Sequence, residues 1–240
     1  MQKHLSQIAH LAKVWVVSLL VVHSSYSMSQ EFDEEQLGAW YMYFFDTKLD
    51  NSRWGFQGDI QYRDFELAGD LEQLLLRGGL TYRPEFLSGV YTLGYANITS
   101  GRFGSSDDTS NEHRIYQEAL LPQKLGKRVS LRHRFRYEQR WVEDQDFRTR
   151  FRYALFANVA LNQDSLGEGA WYLALYNEIF LNGERDIGDG REVEIYDRNR
   201  FYVGIGHSLR DKLKTQFGYM YQDTDTRGKG QLQFSLHHNF

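Results

Sequence analysis

The chain has 240 residues, no cysteine, two prolines and a formal net charge of −4. This length suits one domain or two small ones, and the lack of cysteine excludes a disulfide scaffold and any thiolate metal site. Tyrosine and phenylalanine number sixteen each, a richness that is more typical of β-sheets and membrane interfaces than of soluble helical domains.

The N-terminal region has the features of an export signal. Two lysines give it a positive start, residues 14–22 form a short apolar run, and small residues precede the expected cleavage after Ser27. An uncleaved membrane anchor is the alternative, but the run is shorter than the roughly 20 residues that a spanning helix needs. The sequence therefore predicts a signal peptide over residues 1–27, followed by an acidic N-terminal segment over residues 28–36.

From residue 37 onward, two-faced segments alternate with turn-like stretches. Most of these segments reach the length of about 9–11 residues with which a tilted strand crosses a bilayer, whereas soluble strands average nearer 5–6. Residues 37–240 are therefore predicted to form an all-β domain, a transmembrane antiparallel up-and-down β-barrel of about 10–12 strands. The eleven candidate strands are 37–49, 53–65, 72–83, 89–98, 112–121, 128–141, 147–161, 170–182, 195–209, 212–223 and 231–240.

The alternation of apolar and polar residues is clearest in the last segment. Leu232, Phe234 and Leu236 share one face of this strand with His238 and Phe240, and the residues between them are mostly polar. A period of two over this length indicates a strand with lipid on one side and a polar interior on the other.

The connections between segments add a second regularity. Short turns alternate with longer stretches rich in Gly, Asp, Ser and Arg, which is typical of periplasmic turns and outer loops. Both prolines, Pro84 and Pro122, fall in predicted short connections, so the strand interiors are predicted to be free of proline.

Several short motifs, in their order and spacing, resemble one family of Gram-negative outer-membrane barrels. The resemblance is to the family catalogued as domain of unknown function 2490, and it extends over the chain from about Gly38 to Phe240. It implies the barrel fold and an outer-membrane location, and it carries no activity because none is established for the family. A C-terminal phenylalanine after alternating apolar residues also resembles the signal that the outer-membrane assembly machinery reads. The motifs are 58–63, 112–114, 132–140, 177–178 and 199–206.

Arginine forms the densest cluster of charged residues. A charge that faces lipid at the bilayer midplane costs about 2–4 kcal/mol, so these side chains are predicted to point into the barrel interior. In one interpretation they form ion pairs with acidic residues and fill the interior; in the other, unpaired guanidinium groups bind or select an anion. The candidate anion-binding residues are Arg114, Arg132, Arg134, Arg136, Arg148, Arg150, Arg152, Arg198 and Arg200.

A lipid-modifying enzyme of the acyl-hydrolase type is the alternative function. It needs a serine activated by a histidine that a third group orients. Ser235 and His237 share the predicted inner face, but no orienting acid is evident. We therefore expect no catalytic residue. No recurring spacing of His and carboxylate residues indicates a metal site, so we also expect no metal and no cofactor. The other residues of the required types are Ser130, Ser208, His113, His133, His207 and His238.

The count of eleven segments conflicts with the even strand number of single-chain bacterial barrels. Either one segment is misassigned, or residues 28–36 cross the interior before the first strand begins, with their carboxylates facing the arginines. Deleting residues 28–36 is then expected to raise ion conductance in planar bilayers.

Location and partners follow from the same features. We expect a cell outer-membrane protein in contact with outer-membrane lipids, assembled through the strand that ends at Phe240. Nucleic-acid binding is not expected for an exported, acidic protein. The sequence predicts neither the solute nor the oligomeric state.

Overall fold

The structure is a computed structural model that describes residues 37–104 and 107–240. The predicted signal peptide 1–27 and acidic segment 28–36 lie outside the described residues. Within the described ranges, no helix is long and apolar enough to cross a membrane. The secondary structure there consists of eleven strands, β1 (Gly38–Lys48), β2 (Trp54–Asp64), β3 (Leu71–Tyr82), β4 (Val90–Gly101), β5 (Thr109–Leu125), β6 (Val129–Val142), β7 (Arg148–Ala160), β8 (Trp171–Asn182), β9 (Tyr196–Arg210), β10 (Leu213–Thr224) and β11 (Gly228–Asn239).

The strands form one closed barrel in which each strand pairs with the next along the chain. All of these consecutive pairs are antiparallel, but the closing pair of β1 and β11 is parallel, with Gly38 opposite Gln231 and Asp46 opposite Asn239. The predicted all-β, up-and-down barrel of about 10–12 strands is therefore confirmed, with the eleven strands that the segments indicated. The even strand number expected for such barrels was wrong. An odd number of alternating strands leaves the first and last running in the same direction, so they can close the barrel only through a parallel ladder.

The parallel closure places the two ends of the described chain at opposite ends of the barrel. We call these the Leu37 end and the Phe240 end. Connections 49–53, 83–89, 126–128, 161–170 and 211–212 lie at the Phe240 end. Connections 65–70, 143–147, 183–195 and 225–227 lie at the Leu37 end, as do the described residues 102–104 and 107–108. The predicted contrast in length is weak, because 161–170 is long and 225–227 is short.

Connection 161–170 packs against the turn beside it at the Phe240 end. The Ser208 hydroxyl donates a hydrogen bond to the Leu166 carbonyl, and the Glu168 amide donates to the Asp211 carboxylate. Leu166 also contacts a buried aromatic cluster inside the barrel. The loop is long because it covers part of this end of the barrel.

Every predicted segment overlaps one strand, and β5 differs most from its prediction. It extends to Leu125 and therefore contains Pro122, so the prediction that both prolines lie in connections was wrong for this residue. β5 pairs with β4 only as far as Leu120, and beyond that residue only β6 lies beside it. A proline is tolerated there because one side of the strand has no partner.

Two buried apolar clusters occupy the barrel interior. The first contains Leu75, Ala96, Ile98 and Tyr116, from β3 to β5. The second joins β1 to β8–β10 and contains Trp40, Tyr172, Ala174, Tyr202 and Met220. Side chains therefore fill much of the space that the eleven strands enclose, as they do in small barrels.

Glycines opposite buried tyrosines allow this filling. Gly94 lies directly across from Tyr116, and a Cβ atom added to Gly94 would overlap the tyrosine ring.

We expect Gly94→Ala to lower the free energy of unfolding by about 1–3 kcal/mol, because the buried ring must move. The matched control is Gly78→Ala on β3, where an added Cβ meets no atom within 4 Å. Urea unfolding of the refolded barrel measures the stability of both variants. Equal stability would contradict this packing.

Candidate functional site

The arginines singled out in the sequence lie on β5, β6, β7 and β9. On β6 and β7 they alternate with aromatic and aliphatic residues and face each other across the ladder. Arg136 is opposite Arg152, Glu138 is opposite Arg150, and Arg140 is opposite Arg148. Alternation with a period of two places the whole set on the inner side of these strands.

Glu138 lies at the centre of this set and is 1% exposed. Its Oε2 atom is 2.7 Å from Nη2 of Arg150, and its Oε1 atom is 2.6 Å from Nη1 of Arg152. Arg114 and Arg136 approach the same Oε1 atom at 3.8 and 3.7 Å. One carboxylate thus holds four guanidinium groups from three strands.

Two further glutamates extend the network toward the Phe240 end. Glu178 on β8 accepts hydrogen bonds from Arg134 and Arg152, each at 2.7 Å. Glu118 on β5 is 2.5 Å from Nη2 of Arg136 and also accepts a hydrogen bond from Gln57. Each carboxylate joins side chains of different strands, so the network braces the barrel across its interior.

At the Leu37 end, Glu112 accepts hydrogen bonds from the Nε atoms of Arg114 and Arg140 at 2.6 and 2.5 Å. Asp197 on β9 binds Arg150 at 2.8 Å and its neighbour Arg198 at 3.0 Å. Charge-assisted and two-pronged pairs of this kind are the strongest hydrogen bonds in proteins.

Two arginines that sequence analysis did not single out also lie inside the barrel, Arg63 on β2 and Arg77 on β3. Arg77 forms a two-pronged pair with Asp59 at 2.9–3.0 Å. A signal for Arg63 was present, because it shares one strand face with Gln57, Asp59 and Gln61 while aromatic and aliphatic residues occupy the other.

Several interior arginines of the described residues have no carboxylate within 4.0 Å. Arg63 binds the side-chain oxygens of Gln61 and Gln73, and Arg200 binds that of Gln222. Arg132 stands over the Phe156 ring at 4.9 Å and keeps an exposed side chain. Arg148 is buried, and its Nε atom has no hydrogen-bond partner among the described residues. The described interior side chains therefore carry more positive than negative charge.

The space left between these side chains is small. One cavity of about 100 Å³ is lined by Trp40, Arg63, Arg132 and Arg200 together with residues from β6 to β11. A second, of about 70 Å³, lies toward the Leu37 end and is lined mainly by arginines, including Arg63, Arg114, Arg140 and Arg200. Neither forms a wide passage.

The residues considered for catalysis are mostly apart. Ser235 and His237 do meet, with Oγ and Nε2 3.0 Å apart, and the imidazole stacks on Phe44. No described carboxylate contacts His237, so the dyad has no orienting acid. Ser130 accepts a hydrogen bond from Lys124, and Ser208 donates to a backbone carbonyl. In the described ranges no group of His, Asp and Glu side chains has the arrangement of a metal site.

The fold and the buried charges together define the class of protein, a closed, eleven-stranded, up-and-down β-barrel with a polar network inside. A family model described as "Protein of unknown function (DUF2490)" matches residues 37–233. The chain belongs to this family, as its motifs predicted. No curated protein and no solved structure matches the chain.

Proposed function

We propose that this chain is an outer-membrane β-barrel that spans the lipid with its strands and holds small anions in a filled, arginine-rich interior. The observation that carries the membrane location is the outer surface at mid-strand height. Large apolar side chains there are 40–50% exposed on strand after strand, and a continuous apolar surface of this kind needs a lipid or protein covering. They include Ile60, Leu76, Tyr95, Phe135, Val203, Phe217 and Phe234.

Aromatic residues near both ends of the strands support the same location. Trp54 and Trp171 begin their strands at the Phe240 end, and Trp141 packs against Phe147 at the Leu37 end, with ring centres 5.2 Å apart. Tryptophan prefers the boundary between lipid and water. Tyr41 is also on the outer surface, whereas Trp40 is buried inside.

Outward-facing amides pair with one another. Gln117 donates a hydrogen bond to Gln139 at 3.2 Å, and Asn177 donates to Asn199 at 2.8 Å. Polar groups in contact with lipid are stabilised by such pairing because no water is present to bind them. These side chains are therefore compatible with the proposed membrane environment.

Export and assembly belong to the same proposal. The signal peptide 1–27 delivers the chain to the periplasm, and the strand ending at Phe240 is read by the assembly machinery. The Phe240 side chain is exposed, and its amide donates a hydrogen bond to Asp46 of β1. The last strand is therefore both the recognition signal and one half of the parallel closure.

The interior favours anion retention over free passage of solutes. The cavities of about 100 and 70 Å³ correspond to a few water molecules each, since one water occupies about 30 Å³. Open channels are typical of barrels with about 16–18 strands. The acyl-hydrolase alternative has weaker support, because the Ser235–His237 pair has no orienting carboxylate among the described residues.

Ion conductance in planar bilayers tests the filled interior. We expect the wild-type barrel, refolded without its signal peptide, to show no steady open-pore conductance, because the ion-paired side chains obstruct the passage. Deleting residues 28–36 is the second arm; an increase in conductance would place the obstruction in that segment. A large, steady conductance of the wild-type protein would contradict the proposed function.

A further inference from the structure

At Trp40 two interior arginines meet, Arg63 and Arg200, and neither has an ion-pair partner among the described residues. The indole is 3% exposed. The guanidinium carbon of Arg63 lies 3.7 Å from the centre of the ring, and that of Arg200 lies 4.8 Å from it. Arginine groups over an indole face are attracted by its quadrupole, but that attraction leaves both positive charges in place.

The hydrogen-bond partners of these two arginines are neutral. Arg63 donates to Gln61 at 2.7 Å and to Gln73 at 2.8 Å, and the Arg200 Nε donates to Gln222 at 2.8 Å. Arg77 and Arg152, two other cations of the cavity wall, are already paired with Asp59 and with Glu138 and Glu178. One carboxylate lies at the edge of the indole, where Glu72 accepts a hydrogen bond from the Trp40 Nε1 atom at 3.3 Å, but it forms no ion pair with either arginine. Two buried arginines that share one nearby carboxylate remain unfavourable. An anion between them would relieve this cost.

Space for such an anion is present on both sides of the arginine pair. Arg63 and Arg200 line the cavity of about 100 Å³ and also the cavity of about 70 Å³. With about 30 Å³ for each water, the larger cavity holds roughly three waters, which is the scale of a tetrahedral oxyanion and too small for a lipid with its acyl chains. Tyr176 and Gln233 line the same cavity and bind each other at 2.9 Å.

We propose that Arg63 and Arg200, beside Trp40, form a binding site for a small inorganic oxyanion of the size of phosphate or sulfate. This inference rests on the proposed function and gives its anion a position. The guanidinium groups donate paired hydrogen bonds to the oxyanion, a geometry that suits phosphate and sulfate better than chloride. Arg132 lines the same cavity near the Phe240 end and is exposed, so the anion enters from that end.

Trp40 supplies a direct readout. The three other described tryptophans, Trp54, Trp141 and Trp171, lie on the outer surface, so replacing them with phenylalanine leaves Trp40 as the reporter in the chain without its signal peptide. The refolded protein, in a detergent that contains no phosphate, is titrated with inorganic phosphate and with sulfate. Sodium chloride of equal ionic strength is the control for general salt effects.

We expect a saturable change in Trp40 fluorescence with phosphate or sulfate and none with chloride. Arg63→Gln and Arg200→Gln are each expected to weaken the affinity at least about tenfold, since charge-assisted hydrogen bonds are lost. The matched control Arg128→Gln removes an exposed arginine of the Phe240 end that pairs with Asp164, and it should leave the affinity unchanged. If a glutamine variant fails to fold, the lysine variant replaces it, because lysine keeps the charge and loses the paired geometry; a several-fold weaker affinity is then expected.

Two results would overturn the site: no saturable change in the wild-type background, or equal affinities in the wild type and both arginine variants. Binding that appears only after residues 28–36 are deleted would also overturn the site. In that case carboxylates of the segment, and not an inorganic anion, would occupy the space between the arginines in the full chain. Insertion of the refolded protein into vesicles is measured in parallel. A protein that inserts but does not bind refutes only this site, whereas one that does not insert refutes the proposed function.

Discussion

Glu138→Gln lowers the free energy of unfolding by about 3–5 kcal/mol, the range expected when one partner of a buried ion pair is removed. Glu138 is the carboxylate with the most arginines around it, and it is almost fully buried. Its replacement leaves Arg150 with Asp197 alone and Arg152 with Glu178 alone. The shape of the side chain is retained, so the loss reports charge rather than packing.

Urea unfolding of the refolded barrel in lipid vesicles measures this effect. The control is Glu85→Gln, which removes the carboxylate of an exposed pair with Arg53 and should change stability by less than about 1 kcal/mol. Adding Arg152→Gln to Glu138→Gln should restore part of the stability, because fewer unpaired charges are left inside. An unchanged unfolding midpoint for Glu138→Gln would show that the network does not stabilise the barrel.

Val203→Arg is expected to destabilise the membrane-inserted barrel by about 2–4 kcal/mol, the penalty for arginine at the bilayer midplane of a β-barrel. Val203 lies halfway along β9, and its exposed side chain faces outward between the buried Tyr202 and the interior glycine Gly204. In lipid the new guanidinium group loses its water, and no acidic residue lies beside it on this face.

Phe86→Arg is the control for the Val203 prediction. Phe86 lies in connection 83–89 at the Phe240 end and is 83% exposed, so an arginine there stays in water or at the interface and costs about 0–1 kcal/mol. Unfolding in vesicles compares the two variants. Equal stability of both would mean that the outer face of β9 is not in contact with lipid.

Sequence alternation predicted most of the strands because a period of two is a local property. The same pattern does not show which side chains face the interior where both faces of a strand are apolar. In β1, Trp40, Met42 and Phe44 point inward while Tyr41, Tyr43 and Phe45 point outward, so hydropathy does not distinguish the faces. The position of Trp40 beside two arginines becomes visible only in the structure.

The pairing that closes the barrel could not be predicted from the sequence, for a different reason. The alternating segments predicted eleven strands, but the pairing of β1 with β11 joins residues almost 200 positions apart, such as Gly38 and Gln231. No local pattern distinguishes a parallel closure from a missed strand. The same limit applies to the ion pairs. Alternation predicts the strand face on which the arginines lie, whereas the choice of Glu138 as their common partner depends on the register of β6 and β7.

Spin-label accessibility along β9 tests the central claim, a barrel with lipid outside, most directly. The chain has no cysteine, so a single label can be placed at Phe201, Val203 or Ile205, all outward-facing, with Phe86 as the control. In reconstituted vesicles we predict that the three strand labels collide readily with oxygen and poorly with a water-soluble nickel chelate, and that the Phe86 label does the reverse. Strand labels as accessible to the chelate as the Phe86 label would contradict the account.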